Sequence, residues 1–341
     1  MRSGRSRREW RIILWLSVAF AAISAYFGYS VGDPTPHSAI MGVVNSLVIA
    51  TPILLFEVKG QRLRLLRRLR RQPLLVYFGF RVLFYIVVII GGLVIVRLLV
   101  DDIPEVFNDT FRSSVVFSIA MAILANLVFE MGSLLGFGTL KNLLTGRYVH
   151  PRREQRAFVL IDMKDSTGLA ERLGPIRFHE LLNAFFRDVA DAALECSAEI
   201  HKYVGDEAIL TWSGNDAIAG GDCVACPFIA QDMIAANGEQ YRKRFGVVPQ
   251  FRASLHWGEI VAGEIGDVRR EIAYVGDTLN VAARLLDATK ALGHDVLASA
   301  DLLERATVPT DLAAEPLPTL TVRGRAAPLA IATLRRRPAA P

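Results

Sequence analysis

Long apolar runs dominate the first 140 residues, whereas the rest of the chain alternates between short apolar runs and polar segments. Four of the long runs, at residues 10–31, 39–56, 74–100 and 113–137, approach or exceed the roughly 20 residues that a helix needs to cross a bilayer. The pattern therefore predicts a transmembrane domain of four helices over residues 1–140.

Shorter apolar runs with strand-like alternation follow residue 156, separated by stretches with helical spacing. The predicted strands include "AFVLIDM", "AEIHKYV", "AILTW", "FRASLHWGEIVAGEIG" and "EIAYVGD". The order β-α-β-β-α-β, with further strands at the end, is typical of a ferredoxin-like α+β fold with the helices on one face of the sheet. We predict this domain over residues 157–334, with a coupling linker at 141–156 and a disordered tail at 335–341.

The charge distribution indicates a topology. Residues 1–145 carry 16 Lys and Arg against 8 Asp and Glu, whereas residues 146–341 carry 23 against 26. The basic excess belongs to the apolar half, which argues against nucleic acid as a partner. Basic segments precede the first span and follow the second and fourth, so the positive-inside rule predicts a multi-pass protein of the cell inner (plasma) membrane. Both termini and the 157–334 domain are then cytoplasmic, and a cleaved signal peptide at the first span is the alternative.

The spans contain three ionisable residues, Glu57, Arg81 and Glu130. A charge in hydrocarbon is costly unless it is paired or reaches the interface. Because Arg81 and Glu130 fall at similar depth, we predict that they pair inside a four-helix bundle, with Glu57 as a further candidate partner. Snorkelling of each side chain to the interface is the alternative. The basic loop "KGQRLRLLRRLRRQP" is either a topology anchor or a surface for anionic lipid.

The three cysteines, Cys196, Cys223 and Cys226, all lie in the second half of the chain. An odd number with a single C-x-x-C pair is not typical of a secreted disulfide framework. We predict that the C-x-x-C pair is simply part of an apolar helix.

Two acids are candidates for metal binding. Asp162 ends the first predicted strand, and Asp206 lies at the tip of the hairpin "HKYVGDEAILTW", where the next residue, Glu207, is expected to be solvated. If the strand lies beside the hairpin, both carboxylates project from one end of the sheet and suit a hard divalent cation such as Mg²⁺. The helix that follows, near Ser166 and Thr167, has free backbone N–H groups that suit phosphate. The simpler alternative is that both Asp residues only form turns.

A second candidate group lies in "VGDTLNVAARL", where Asp277 or Thr278 is predicted to cap a helix. Asn280 and Arg284 are four residues apart and therefore share one helix face. An Arg in this position can neutralise charge that develops on a phosphoryl group, and an Asn can orient the substrate. A capped helix with a solvated Arg is the alternative.

Taken together, four segments resemble the class III nucleotide cyclases, the adenylate and guanylate cyclases, in a membrane-anchored bacterial form. They are "FVLIDMKDSTGLAERLG", "HKYVGDEAILTW", "LHWGEIVAGEIG" and "YVGDTLNVAARL", within residues 156–334. The resemblance implies attack of a ribose 3′-hydroxyl on the α-phosphate, which yields a 3′,5′-cyclic nucleotide and pyrophosphate. It also implies a homodimer with two equivalent sites, because this chain carries both halves of a site that lies between two catalytic domains.

The resemblance also implies a role for each site residue. Asp162 and Asp206 would bind two Mg²⁺ or Mn²⁺ ions per active site, together with the backbone carbonyl of Met163. Lys202 would contact the purine edge and Asn280 would position the ribose. The remaining expected residues are Arg284 for the transition state, Arg323 for the distal phosphates, and Ser166, Thr167, Ala273 and Asp277 in the substrate site.

Two departures from the family pattern bear on the substrate. Asp165 and Ser166 stand where the family usually has a glycine and an aromatic residue. The second purine-reading position falls on Ala273, whose side chain cannot hydrogen-bond a base. Lys202 still favours adenine, so we predict ATP as the substrate and adenylate cyclase as the activity, with guanylate cyclase as the alternative.

Three other interpretations compete with a cyclase. The hairpin shares a Gly-Asp-Glu with the diguanylate cyclase signature, but Val204 and Ala208 replace its first glycine and its aromatic residue. A membrane sensor with an inactive cyclase domain conflicts with the intact site residues, and a transporter is disfavoured by the short outer loops. The sequence does not indicate a regulatory ligand.

Overall fold

The structure of the protein is a computed structural model that describes residues 3–31, 35–59, 72, 74–100, 109–214, 218–268, 270–321 and 328–338. The chain forms two compact units, Met1–Leu134 and Leu135–Pro341. The predicted boundaries at residues 140, 156 and 334 stay predictions.

The described residues of the first unit form four long helices, α1 (Ser3–Val31), α2 (Pro36–Lys59), α3 (Leu74–Val100) and α4 (Asp109–Leu135). Each contains a segment long and apolar enough to cross a membrane, which confirms the four predicted apolar helices. Between 6% and 33% of each segment is buried inside the protein, so most of the apolar side chains face outward. An apolar exterior of this kind fits a lipid environment.

Small residues let α1 and α2 approach closely. A Cβ added at Gly28 would lie 2.4 Å from the carbonyl oxygen of Ser38, and one added at Gly42 would lie 2.1 Å from that of Ser24. Small residues four apart are typical of tightly packed membrane helices. This backbone contact fixes the pairing of the two helices.

The predicted ion pair within the spans is confirmed. Arg81 of α3 donates to Glu130 of α4 at 2.8 Å and, through two nitrogens, to Glu57 of α2 at 3.0 and 2.5 Å. The Tyr85 hydroxyl also donates to Glu57. Arg81 is 1% exposed, so its charge is neutralised inside the bundle rather than at the interface.

Replacing Arg81 by Leu is expected to destabilise the protein by about 3–5 kcal/mol, because two buried carboxylates lose their counter-charge. Glu57→Gln should cost more than Glu130→Gln, since Glu57 receives two of the three bonds from Arg81. The thermal unfolding midpoint in detergent measures both effects. The matched control is Arg112→Leu, which removes an exposed pair of 3.8 Å with Asp109. Equal midpoints for the Arg81 and Arg112 variants would contradict the prediction.

The contact with Glu57 also limits what a charge swap can do. The double variant R81E/E130R restores a pair between α3 and α4, but it places an acid against Glu57. We therefore expect partial rescue of the single reversals, and fuller rescue when Glu57→Gln is added.

The described part of the second unit contains six longer helices, one short helix and eight strands. The helices are α5 (Phe137–Leu144), α6 (Ser166–Leu173), α7 (Pro175–Glu195), α8 (Asp222–Ala236), α9 (Gly238–Phe245), α10 (Asp277–Leu292) and the four-residue α11 (Ala300–Leu303). The strands are β1 (Arg152–Met163), β2 (Glu199–Val204), β3 (Glu207–Ser213), β4 (Phe251–Ile265), β5 (Glu271–Val275), β6 (Val296–Ser299), β7 (Leu312–Leu320) and β8 (Leu329–Arg336).

The strands form one sheet in the order β2-β3-β1-β4-β6-β8-β7, and β5 pairs with the far end of β4. The β4–β6 pair is parallel and the other pairs are antiparallel. The order β-α-β-β-α-β with added strands confirms the predicted α+β fold. The central strand β1 is buried on both faces, with Ala157 through Ile161 at most 1% exposed.

Helices cover both faces of the sheet, so the prediction of helices on one face was wrong. Val159 and Ile161 of β1 pack with α7 and α8, whereas Phe158 and Leu160 pack with Ala282 and Leu286 of α10. Because residues 157–161 of β1 are all apolar, this stretch has no alternation that reveals a second covered face. The face covered by α10 is called the α10 face below.

A buried arginine connects the segment before β1 to the sheet. Arg156 is 1% exposed and donates to Glu154 at 3.0 Å, to Glu199 of β2 at 3.1 Å and to the Tyr148 hydroxyl at 3.0 Å. Its guanidinium also lies 4.8 Å from the ring centre of Tyr274 of β5. The end of the predicted linker is therefore fastened to two strands of the sheet.

The C-x-x-C pair and the C-terminal tail were both subjects of predictions from the sequence. Cys223 and Cys226 are buried on α8, as expected for apolar helix residues. The predicted disordered tail instead begins in ordered structure: β8 runs to Arg336, whose guanidinium lies 2.7 Å from Asp232, and the N–H of Arg337 donates to the carbonyl of Asp311. Residues 339–341 lie outside the described part.

Candidate active site

The end of β1 and the turn between β2 and β3 bring two acids together. Asp162 lies opposite Glu207 of β3 and Arg252 of β4. The N–H of Met163 donates to the backbone carbonyl of Asp206 at 3.4 Å. The carboxyl groups of Asp162 and Asp206 are close enough to hydrogen-bond when one carries a proton. The structure thus places both acids named from the sequence in one cluster.

This acid pair is electrostatically costly in the free protein. Burial, followed by the charge of Asp206, raises the pKa of Asp162 to about 6, although Arg252 acts in the opposite direction. A bound divalent cation would relieve the repulsion, and carboxylate oxygens are the ligands that Mg²⁺ and Mn²⁺ prefer. Among the described residues no group of three or more His, Cys, Asp or Glu could hold a metal. Two carboxylates are the ligand set typical of a cation that takes its remaining ligands from water or from phosphate oxygens.

Glu207 is a member of this cluster that sequence reasoning missed. It was expected to be solvated, but it is half-buried, and burial together with Asp162, Asp206 and Asp287 raises its pKa to about 7. Facing residues on neighbouring antiparallel strands point to the same side of a sheet, so Glu207 and Asp162 share a face. If β1 is aligned antiparallel to β3, the residue opposite Asp162 is the first residue of β3, which is Glu207.

The loop after Asp162 adopts a conformation that favours glycine. Asp165 has φ +55° and ψ 35°, and Asp is one of the few residues that tolerate this left-handed region. Its carboxylate lies against Gly168, where an added Cβ would be 2.4 Å from Oδ1, and it receives Arg172 at 3.3 Å. The chain therefore keeps the turn without the usual glycine, and Ser166 and Thr167 form the first turn of α6.

The two base-reading candidates lie on strands that meet through an aromatic contact. Lys202 of β2 is exposed and faces Ile209 of β3, so it lies on the α10 face with Asp162. Ala273 of β5 is half-buried and pairs with Gly263. Their neighbours His201 and Tyr274 stack with ring centres 4.4 Å apart.

The stacked histidine is neutral at neutral pH. Burial first, then the charges of Lys202 and Arg156, lowers the pKa of His201 to about 4. A neutral ring can lie within the reach of both cations without repelling them.

Asn280 and Arg284 lie on the exposed face of α10, and Asp287 follows Arg284 by about one turn. In the described chain neither Asn280 nor Arg284 has a hydrogen bond or an ion pair. The charge of Asp287 contributes to the raised pKa values of Asp162 and Glu207, so this residue lies near the acids. Asn280 lies two helical turns before Asp287, about 10 Å away along the axis of α10. The structure therefore does not bring Asn280 and Arg284 into contact with the acid pair within one chain.

The start of α10 differs from the prediction. Gly276, with φ +146°, precedes the helix and no side chain caps it. Asp277 is exposed in the first turn, while the Thr278 hydroxyl donates to the carbonyl of Glu259 at 2.6 Å. Neither residue is the predicted cap, because a tertiary hydrogen bond takes Thr278. Arg323, expected near the distal phosphates, lies outside the described residues.

Comparison with known proteins shows the family of the chain. Residues 149–326 match the model of the adenylate and guanylate cyclase catalytic domain. Adenylate cyclase 2 of Rhizobium meliloti (strain 1021) is 36% identical over 329 residues, which cover 95% of this chain and 90% of that protein. Adenylate cyclase 1 of the same strain is 26% identical over 185 residues, 52% of this chain and 27% of that protein.

A solved structure shows the same fold. A bacterial light-regulated adenylyl cyclase superposes with a TM-score of 0.52 at 15% identity, over 64% of each chain. Since the family model spans the acid pair and α10, and the 36% identical relative spans nearly the whole protein, the four-helix unit and the sheet unit both have counterparts there. The chain therefore belongs to the adenylate and guanylate cyclase family.

Proposed function

We propose that the protein is a membrane-bound adenylate cyclase that converts ATP to 3′,5′-cyclic AMP and pyrophosphate. The neighbouring carboxylates of Asp162 and Asp206 carry the proposal. Two like charges this close are costly unless they hold a cation. The named relative that matches 95% of the chain supports the choice of adenylate cyclase.

Asp162 and Asp206, with the Met163 carbonyl, are proposed to hold two Mg²⁺ or Mn²⁺ ions. When bound, such ions would neutralise the triphosphate and lower the pKa of the ribose 3′-hydroxyl. The helix N-terminus at Ser166 and Thr167 is placed just after Asp162, where its backbone N–H groups suit phosphate oxygens. Arg323 and Asp277 are proposed as further contacts to the substrate.

The proposed active site is completed by a second copy of the chain. Asn280 would position the ribose, and Arg284 would stabilise negative charge as the bond to the leaving pyrophosphate lengthens. Both are exposed on α10 and lie away from the acid pair of their own chain. A homodimer related by a two-fold axis would give each site acids from one protomer and α10 from its partner.

The proposed location is the plasma membrane, crossed by α1–α4, with the sheet unit and both termini in the cytoplasm. The four apolar helices support membrane attachment, and the charge asymmetry of the loops supports this orientation. ATP is cytoplasmic, so the proposed orientation also gives the site access to its substrate.

Product analysis by mass spectrometry tests the activity. The purified protein with Mn²⁺ is offered ATP or GTP in separate reactions, and cyclic AMP from ATP is the expected product. Cyclic GMP as the main product would replace the proposal by a guanylate cyclase, which Ala273 leaves chemically feasible. No cyclic product from a dimeric preparation would contradict both.

Reversing the charge of Lys202 is expected to change the base preference. Adenine presents an acceptor at N1 that suits the ammonium, whereas guanine presents an N–H that suits a carboxylate. Lys202→Glu should lower kcat/KM for ATP relative to GTP by about tenfold or more. Lys243→Glu, an exposed change on α9, is the matched control and should leave the ratio unchanged. An unchanged ratio in the Lys202 variant would show that the base is read elsewhere.

A further inference from the structure

The four-helix unit contains a cavity of about 360 Å³ between its helices. This volume falls within the range of about 300–1,000 Å³ that small-molecule sites occupy. Small side chains recur at helical spacing on the walls, with glycine and serine on α1 and α2 and serine and alanine on α4. The space exists because these positions project little volume between the helices.

Two asparagines in the cavity wall have unsatisfied polar atoms. Asn126 of α4 is 1% exposed, and neither its Oδ1 nor its Nδ2 has a hydrogen-bond partner among the described residues. The Oδ1 of Asn45 on α2 is buried and also without a partner there. A buried amide without partners is strongly disfavoured, so these positions need an explanation.

The charge of the cavity is already balanced. Glu57 is the only carboxylate among the described wall residues, and it is held by Arg81 and Tyr85. The rest of the wall combines apolar side chains such as Phe117 and Ile49 with small polar ones, mainly serines, and His37. The cavity therefore suits a neutral molecule, and the open hydrogen-bonding capacity lies at Asn126, which can both donate and accept.

We propose that the four-helix unit binds one neutral, largely apolar small molecule in this cavity, and that a polar group of the molecule pairs with the carboxamide of Asn126. The pairing group must donate and accept, as a primary amide, a hydroxyl or a neutral carboxylic acid does. The acyl chain of a bilayer lipid lacks such a group and would leave Asn126 unsatisfied. This binding site is independent of the proposed catalytic activity.

Two probes of equal size test the pairing. Decanamide offers a donor and an acceptor, whereas 2-undecanone offers an acceptor alone. Equilibrium binding to the full-length protein in lipid nanodiscs is measured for both, with uptake by empty nanodiscs subtracted. We expect saturable binding of one decanamide per chain, about tenfold or more tighter than the ketone, because the ketone can accept from the Asn126 amide N–H but leaves Asn126 Oδ1 without a donor.

Replacing Asn126 by Leu separates this role from a structural one. The variant keeps the side-chain size, so the tenfold preference for decanamide should disappear, while the unfolding midpoint of the ligand-free protein should rise as the unsatisfied amide is removed. Asn183→Leu, an exposed change on α7, should leave both properties unchanged. Equal affinity of the two probes for the wild type, or uptake equal to that of empty nanodiscs, overturns the proposal. The latter result would mean that the cavity holds only water or lipid.

Discussion

Replacing Asp206 by Asn is expected to lower the turnover of ATP by on the order of 10²- to 10³-fold, the loss typical of removing one preorganised electrostatic contact. The change keeps the size of the side chain and removes the charge that repels Asp162. The unfolding midpoint in the presence of EDTA should therefore stay the same or rise. Loss of activity together with retained or increased stability separates a metal-binding role from a structural one. Steady-state kinetics and thermal unfolding of the same preparation provide both readouts.

The control for this change is Asp311→Asn, which alters an exposed carboxylate between α11 and β7. It should leave turnover and the unfolding midpoint as they are. An Asp206→Asn enzyme with near wild-type turnover would remove the acid pair from the mechanism. A variant with a strongly lowered midpoint would instead make Asp206 a structural residue of the hairpin turn.

In the proposed dimer, each active site takes Asp206 from one chain and Arg284 from the other. Asp206→Asn and Arg284→Ala should each abolish most of the activity alone, but a mixture of the two chains should recover about a quarter of it. Random pairing makes half of the dimers mixed, and each mixed dimer has one intact site and one site with both changes. Co-expression with two different affinity tags, followed by purification through both, should raise the recovery to about half.

The matched control for recovery is a pair of variants from the same half-site. Asp206→Asn with Asp162→Asn leaves every site in a mixed dimer without one acid, so no activity should return. Recovery in this control would show that the acids act separately. Failure of the Asp206 and Arg284 pair to recover, in a preparation shown to contain mixed dimers, would place Arg284 outside the shared site.

Local signals in the sequence located the acid pair, and they also placed Asn280 and Arg284 on one side of α10, because each of these features depends on short-range geometry. Asp162 ends an apolar strand, Asp206 occupies a Gly-Asp turn, and Asn280 and Arg284 share a face through their spacing. Glu207 was missed because its position depends on the β1–β3 register, which places it directly opposite Asp162. Strand pairing is a long-range property that alternation within one strand does not encode.

Tertiary contacts account for the other differences. Thr278 could have capped α10 by its sequence position, but its hydroxyl is used by the Glu259 carbonyl. In the four-helix unit, counting residues from the predicted cytoplasmic side located the Arg81–Glu130 pair. Tyr85 was missed because a tyrosine inside an apolar helix has no distinctive sequence pattern. Helix rotation decides which of these side chains face the bundle, and rotation follows from packing rather than from hydropathy.

The buried guanidinium of Arg156 links the segment before β1 mechanically to β2 and β5. It bonds Tyr148 before β1 and Glu199 on β2, and it stacks on Tyr274 of β5, whereas the acid pair lies at the opposite end of β1. A shift of the segment before β1 would therefore first move the strands that carry Lys202 and Ala273. Its kinetic signature would be a change in KM and base selectivity, with the rate at saturating nucleotide altered less.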